Sequence, residues 1–150
     1  MARKRKLPRA AALTTADFVR LASFRYALRR FLHFSETETA RLGLTGQQYQ
    51  AMLVVRSRQE RAPLTIADLA REMLTRHNST VGLVDRLVAH GLIARAGVPD
   101  DRRKVRLRLT AAGERVLARL ASVHRQKLRR ISPHIFRELS ELTGVWRGGR

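Results

Sequence analysis

A chain of 150 residues can bury one substantial core but is too short for two ordinary domains. Its 31 Lys and Arg against 12 Asp and Glu give a formal net charge of +19, so its expected partner is a polyanion, with nucleic acid ahead of an anionic membrane surface; a hydrophobic share of 44% excludes a wholly disordered polycation. The absence of cysteine excludes disulfides, thiolate zinc sites, cysteine nucleophiles and cysteine redox sensors, and fits a cytoplasmic location.

The first thirteen residues, MARKRKLPRAAAL, are basic, contain Pro8 and show no apolar period, which predicts a disordered tail. It reads either as a solubilising end or as an arm laid along phosphates. A charged start with no apolar stretch after it is not a secretory signal, and no apolar run reaches the roughly 18–20 residues that span a bilayer.

From Thr14 the pattern changes. Thr14 and Asp17 have capping-box spacing, and Phe18, Leu21, Phe24, Leu28 and Phe31 recur at helical steps, which predicts one apolar stripe on a helix over about 14–34. The stretch SETETARLGLTGQQ, with Gly43 and Gly46, interrupts the period. Thr45 then caps a helix carrying Tyr49, Met52, Leu53 and Val54 and ending near Ser57.

Thr65 and Asp68 repeat the capping-box spacing ahead of a short helix with Ile66, Leu69, Ala70 and Met73 on one side. Thr75 is expected to cap the next helix. Thr80, Leu83, Val84 and Leu87 form its buried side, and Gly91 ends it. Two such helices separated by a short turn, over about 65–91, make a helix-turn-helix, whose second helix enters a major groove. The face left outward carries Arg76, His77, Asn78, Ser79, Val81 and Gly82, with Arg86 a turn further along and expected at a phosphate. Asn can pair two-fold with adenine and an apolar methyl can touch thymine; alternatively, Asn78 and Ser79 only stabilise the first turn.

A hairpin follows, over about 92–109. LIAR is a short strand and AGVPDDRR a turn. KVRLRL alternates, with Val105, Leu107 and Leu109 on one face and Lys104, Arg106 and Arg108 on the other. A hairpin directly after a helix-turn-helix is a wing. Its oily face packs on the helices, while Asp101, Arg102, Arg103, Lys104 and Arg106 meet phosphates and the adjoining minor groove. Asp101 is expected to hold the guanidinium of Arg103. The bland alternative is that these charges solvate a turn.

Thr110 caps a last pair of helices. The first repeats at Leu117, Leu120, His124, Leu128 and Ile131, Ser132-Pro133 reads as a break and restart, and Phe136, Leu139, Leu142 and Trp146 form the final stripe. The helices at about 14–34 and 111–147 carry more apolar surface than a small winged-helix unit can cover, so they are expected to dimerise it. The fold class is mostly α with a small β wing, one winged-helix domain over 14–150.

STVGLVDRLVAHGLIAR followed by DDRRKVRLRLTAAG resembles the MarR-type winged-helix transcription regulators, with the likeness running from about Thr14 to Ile131. That family's wing signature, Asp-x-Arg and then a strand and Leu-Thr-x-x-Gly, falls on Asp101, Arg103, Leu109, Thr110 and Gly113. The resemblance implies a homodimer, a pseudo-palindromic double-stranded DNA site and a repressor released by a small-molecule effector. Recognition helices of such a dimer lie one DNA turn, ~34 Å, apart. Gly82 departs from the family, many members of which have a bulky or basic residue there.

An effector cleft would be lined by Phe24, Phe31, Tyr49 and His124 with Arg25, Arg29 or Arg30 at its rim, which suits a small aromatic or lipophilic anion; the same aromatics read equally as core. His33, His77, His90, His124 and His134 lack ligand spacing with a nearby acid, so no metal or other cofactor is expected. No nucleophile–base pattern or phosphate loop supports an enzyme. The rival reading is a sequence-indifferent architectural DNA-binding protein, which the high charge favours.

Overall fold

The structure, a computed structural model, describes residues 13–98 and 101–144, and for 101–104 the backbone alone. The tail 1–12, the Pro99-Asp100 tip, the side chains of Asp101, Arg102, Arg103 and Lys104, and Trp146 lie outside the described residues. The elements are α1 (Thr15–Ala40), α2 (Gly46–Arg58), α3 (Ile66–Glu72), α4 (His77–Ala89), β1 (Ile93–Val98), β2 (Asp101–Leu109) and α5 (Ala111–Thr143). The chain divides into two compact units: Leu32–Gln126, and the segment up to Phe31 together with that from Lys127.

The first unit is the winged helix. Capping boxes start α2 and α3: the Thr45 hydroxyl accepts from the Gln48 N–H, and the Thr65 hydroxyl from the Asp68 N–H. Apolar faces at helical spacing then close over one core, in which Met52, Val55, Leu64, Leu69, Val84, Leu87, Ile93 and Leu107 are all but fully buried. The α4 set is the one its period predicts, with Thr80, Leu83, Val84 and Leu87 buried.

The two strands pair antiparallel from Ile93↔Leu109 to Gly97↔Val105, and the register shifts between Gly97 and Val98. Leu107 donates its N–H to the Leu64 carbonyl at 2.8 Å, which ties β2 to the segment before α3. Leu109 donates its N–H to Gln59 Oε1 at 3.1 Å. Gln59 in turn donates to Glu114, which also takes the Arg56 guanidinium. β2 is therefore held on both of its edges, by β1 on one side and by Leu64 and Gln59 on the other.

Four expectations need correcting. α1 runs to Ala40 and does not end near 34, because Ser35 and Thr39 continue its buried side as small polar residues that a hydrophobic period cannot detect. The Thr39 hydroxyl is satisfied within the helix, donating to the Glu36 carbonyl at 3.0 Å. α5 passes through Ser132-Pro133 as a single helix, so the expected last pair of helices is one; proline removes one donor but helical turns stand on both sides of it. The N-cap of α4 is Arg76, not Thr75. Thr75 instead sends its N–H to the Ala70 carbonyl and sets its hydroxyl 2.8 Å from that of Thr80, after a turn at Leu74 with φ +54°. Finally, Val105 is 42% exposed and leaves the wing's oily face to Leu107 and Leu109.

The second unit comprises residues 13–31, with the start of α1, and 127–144, with the end of α5. Arg20 Nε meets Glu141 Oε2 at 2.9 Å and Ser23 Oγ lies 3.3 Å from His134 Nε2. The predicted capping box at its start is present, with the Thr14 N–H and hydroxyl both donating to Asp17. Those bonds hold the Asp17 carboxyl below the usual carboxylate range. Phe18, Val19, Tyr26, Leu28, Leu128 and Phe136 remain exposed.

Candidate nucleic-acid interface

Helix α4 buries one side and presents the other. Of the recognition residues that the sequence points to, Arg76, His77, Asn78, Ser79 and Arg86 are exposed, and Val81 and Gly82 half-buried. Arg76 makes no side-chain cap. Asn78 and Ser79 show no side-chain hydrogen bond among the described residues.

Asp85 lies on this outward face, where a carboxylate would oppose phosphates. Arg95 of β1 meets it, NH2 to Oδ1 at 2.5 Å. The pair cancels the acid and ties the recognition helix to the wing strand. Sequence reasoning misses both residues. The available signal is the acid itself: α4's period puts Asp85 outward, and an acid facing a polyanion calls for a cation near by.

On β2, Arg108 is exposed and Arg106 half-buried, with its Nε shielded and without a hydrogen-bond partner. The wing residues Asp101, Arg102, Arg103 and Lys104 are placed by backbone only, on the strand that pairs with β1; whether Asp101 holds Arg103 lies outside the described side chains. Asp68, at the start of α3, takes bonds from the Thr65 hydroxyl and N–H, which hold its carboxyl below the usual range.

Of the expected effector-cleft residues, Tyr49 and His124 come together in the winged-helix unit. Their rings stack at 4.4 Å, and Phe34 meets His124 edge-on at 5.6 Å. His124 Nδ1 lies 2.7 Å from the Leu120 carbonyl and Nε2 lies 2.8 Å from Ser35 Oγ. A carbonyl only accepts, so in the neutral ring Nδ1 carries the proton and Nε2 accepts from Ser35. Burial pushes the Tyr49 hydroxyl up. Phe24 and Phe31 are half-buried residues of the other unit, where Arg30 lies over the Tyr26 ring at 5.8 Å, and Arg25 and Arg29 are exposed. Phe34 and Ser35 escape sequence reasoning, because they fall where the apolar period of α1 runs out.

Among the described residues there is no group of three His, Cys, Asp or Glu that could hold a metal, and no helix long and apolar enough to cross a membrane.

A short helix, a turn, a second helix with an open outer face and a hairpin tied to it define a winged helix-turn-helix protein. Residues 42–104 match the model of the MarR family. The chain is 33% identical over 70 residues to an uncharacterized HTH-type transcriptional regulator, YsmB, of Bacillus subtilis (strain 168), a match covering 47% of this chain and 48% of that protein. The match thus spans about half of that relative. The crystal structure of AbsC, a MarR family transcriptional regulator from Streptomyces coelicolor, superposes with a TM-score of 0.69 at 23% identity, covering 88% of this chain and 92% of that one. A complex of S. aureus MepR with DNA superposes with a TM-score of 0.64 at 16% identity, covering 81% and 91%.

Proposed function

We propose that this protein is a transcription regulator that binds double-stranded DNA sequence-specifically, acting as a homodimer on a pseudo-palindromic site. The observation that carries the reading is the Asp85–Arg95 pair: it joins the outward face of α4 to the wing and removes the one acid from the middle of that face. Arg76, His77, Asn78, Ser79, Val81, Gly82 and Arg86 then enter the major groove. Asp101, Arg102, Arg103, Lys104 and Arg106 of the wing run along phosphates and the neighbouring minor groove. The likeness to MepR, seen bound to DNA, supports this docking mode.

Dimerisation is supported by the apolar side chains of the second unit that the chain leaves uncovered, Phe18, Val19, Tyr26, Leu28 and Phe136. The dimer acts in the cytoplasm as a repressor, released by a small aromatic or lipophilic anion. The residues of the winged-helix unit proposed to meet that effector are Tyr49 and His124. It prefers a dimer whose recognition helices are spaced wrongly for DNA; without such a preference it would shift nothing.

The test is selection of duplexes from a randomised pool by the purified protein. A recovered inverted repeat with half-site centres about ten base pairs apart bears the reading out. Retention of the pool without enrichment shows instead the architectural binder that a charge of +19 also suits.

A further inference from the structure

Residue 82 lies in the middle of the outward face of α4, one turn after Asn78 and one turn before Arg86. Its backbone is ordinary right-handed helix, so the turn geometry does not require glycine. Nor does the packing: a β-carbon there would meet only the guanidinium of Arg86, at 3.5 Å. Glycine in a helix interior is destabilising relative to alanine. The chain bears that cost on the face that meets its ligand.

The Arg86 side chain lies in the space over residue 82. Arg86 is exposed and has no ion pair among the described residues; its neighbour Asp85 is committed to Arg95. Its side chain turns back along the helix and lays its NH1 over residue 82, in the direction in which helical side chains lean. The head group therefore sits over the bare centre of the face, in the row Asn78, Gly82, Arg86. An arginine at the margin of a recognition helix meets phosphate. One over its centre meets base edges, and its planar fork matches O6 and N7 of guanine.

We propose that Arg86, seated over Gly82, reads one guanine in each half of the DNA site, and that Gly82 determines specificity by being bare. This rests on the sequence-specific DNA-binding reading above, and it moves Arg86 from the phosphate role expected from the sequence to a base.

The test uses the full chain and the duplex that the wild-type protein selects from a randomised pool. Affinities are measured for that duplex and for each of its single base-pair substitutions, at two salt concentrations. The wild type should prefer one G·C pair per half-site by about tenfold. Arg86→Gln and Arg86→Lys should lose that preference and keep the others. Gly82→Met should raise Tm, but should lose the same preference by filling the guanidinium's place. If Arg86→Gln instead weakens every duplex by one factor and lowers the salt slope by about one, Arg86 is at a phosphate and the proposal is overturned. If Gly82→Met keeps the preference, glycine has no part in recognition. A wild type that selects no duplex at all overturns the sequence-specific reading and this inference with it; the outcomes before it overturn the inference alone.

Discussion

Gly113, in the first turn of α5, packs its bare α-carbon against the carbonyl oxygen of Leu92, and a β-carbon at 113 would collide with that oxygen and with its carbon. The contact is one of four around the same corner. Gly91 ends α4 with φ +67°, the Thr110 hydroxyl donates to the Gly91 carbonyl at 2.6 Å, and the Thr110 N–H donates to the Leu92 carbonyl at 3.1 Å. The Gly113 N–H then donates to the Thr110 hydroxyl at 3.0 Å. Leu-Thr-x-x-Gly is thus a joint between the end of α4, the wing and α5. Gly113→Ala should destabilise the fold by about 1–3 kcal/mol, as other overpacked sites do. Denaturant unfolding checks this; an unchanged midpoint would show that α5 shifts freely.

Removing Arg95 should harm DNA binding through the acid it leaves behind. With Asp85 unopposed on the outward face of α4, Arg95→Ala should weaken binding by roughly 1–3 kcal/mol. Asp85→Asn should be close to neutral, and added to Arg95→Ala it should restore most of the loss. Fluorescence anisotropy at fixed salt measures all three. If the double variant is as weak as Arg95→Ala alone, Arg95 contacts DNA directly and does not act through Asp85.

At the wing, Arg103→Ala should weaken binding to all duplexes by roughly 1–3 kcal/mol. Asp101→Ala should weaken it less, but in the same direction, although it makes the protein more positive. Tighter binding by Asp101→Ala would show that the acid does not orient Arg103.

Phe136 is 65% exposed on α5, a position that is costly to leave uncovered. Phe136→Glu should give a folded monomer in sedimentation, with unchanged helix content and operator affinity reduced at least tenfold. This substitution is a cleaner test than cutting the chain at Ser132, which would sever the single helix α5 in its middle. A dimer that survives the change would place the interface elsewhere.

Asp68 predicts an acid limb in stability. Its carboxyl is held below the usual range chiefly by bonds from the Thr65 hydroxyl and N–H. A depressed folded-state pKa contributes stability that is present above the unfolded value and lost as pH falls through the carboxylate range. Thr65→Val removes the hydroxyl, so it should lower Tm at neutral pH and narrow the difference between neutral and acid pH. An unchanged pH profile would mean that the capping box of α3 contributes little to the native state.

The parts of this molecule that are legible in its sequence are those set by short-range periodicity. Thr80, Leu83, Val84 and Leu87 repeat with the helix, and Leu107 and Leu109 with the strand, so the helix-turn-helix and its wing follow from the pattern of residues alone. Illegible parts depend on polar residues used inside or across elements. Ser35 and Thr39 break a hydrophobic count yet line the buried side of α1, and Ser35 thereby reaches His124. Asp85 with Arg95, and Gln59 with Glu114, are joined by tertiary packing that no spacing rule encodes. Gly82 stands out in the sequence as an oddity, but what it accommodates depends on where the Arg86 side chain lies.

The central claim is that this winged helix reads a DNA sequence rather than merely holding DNA. The most direct measurement is equilibrium competition at physiological salt, in which the selected duplex, bound by the full chain, is challenged with bulk genomic DNA. The account predicts at least a thousandfold preference for the selected duplex, the lower end for specific binders. A preference within a few fold of one, with affinity falling steeply with salt for every duplex alike, would contradict it.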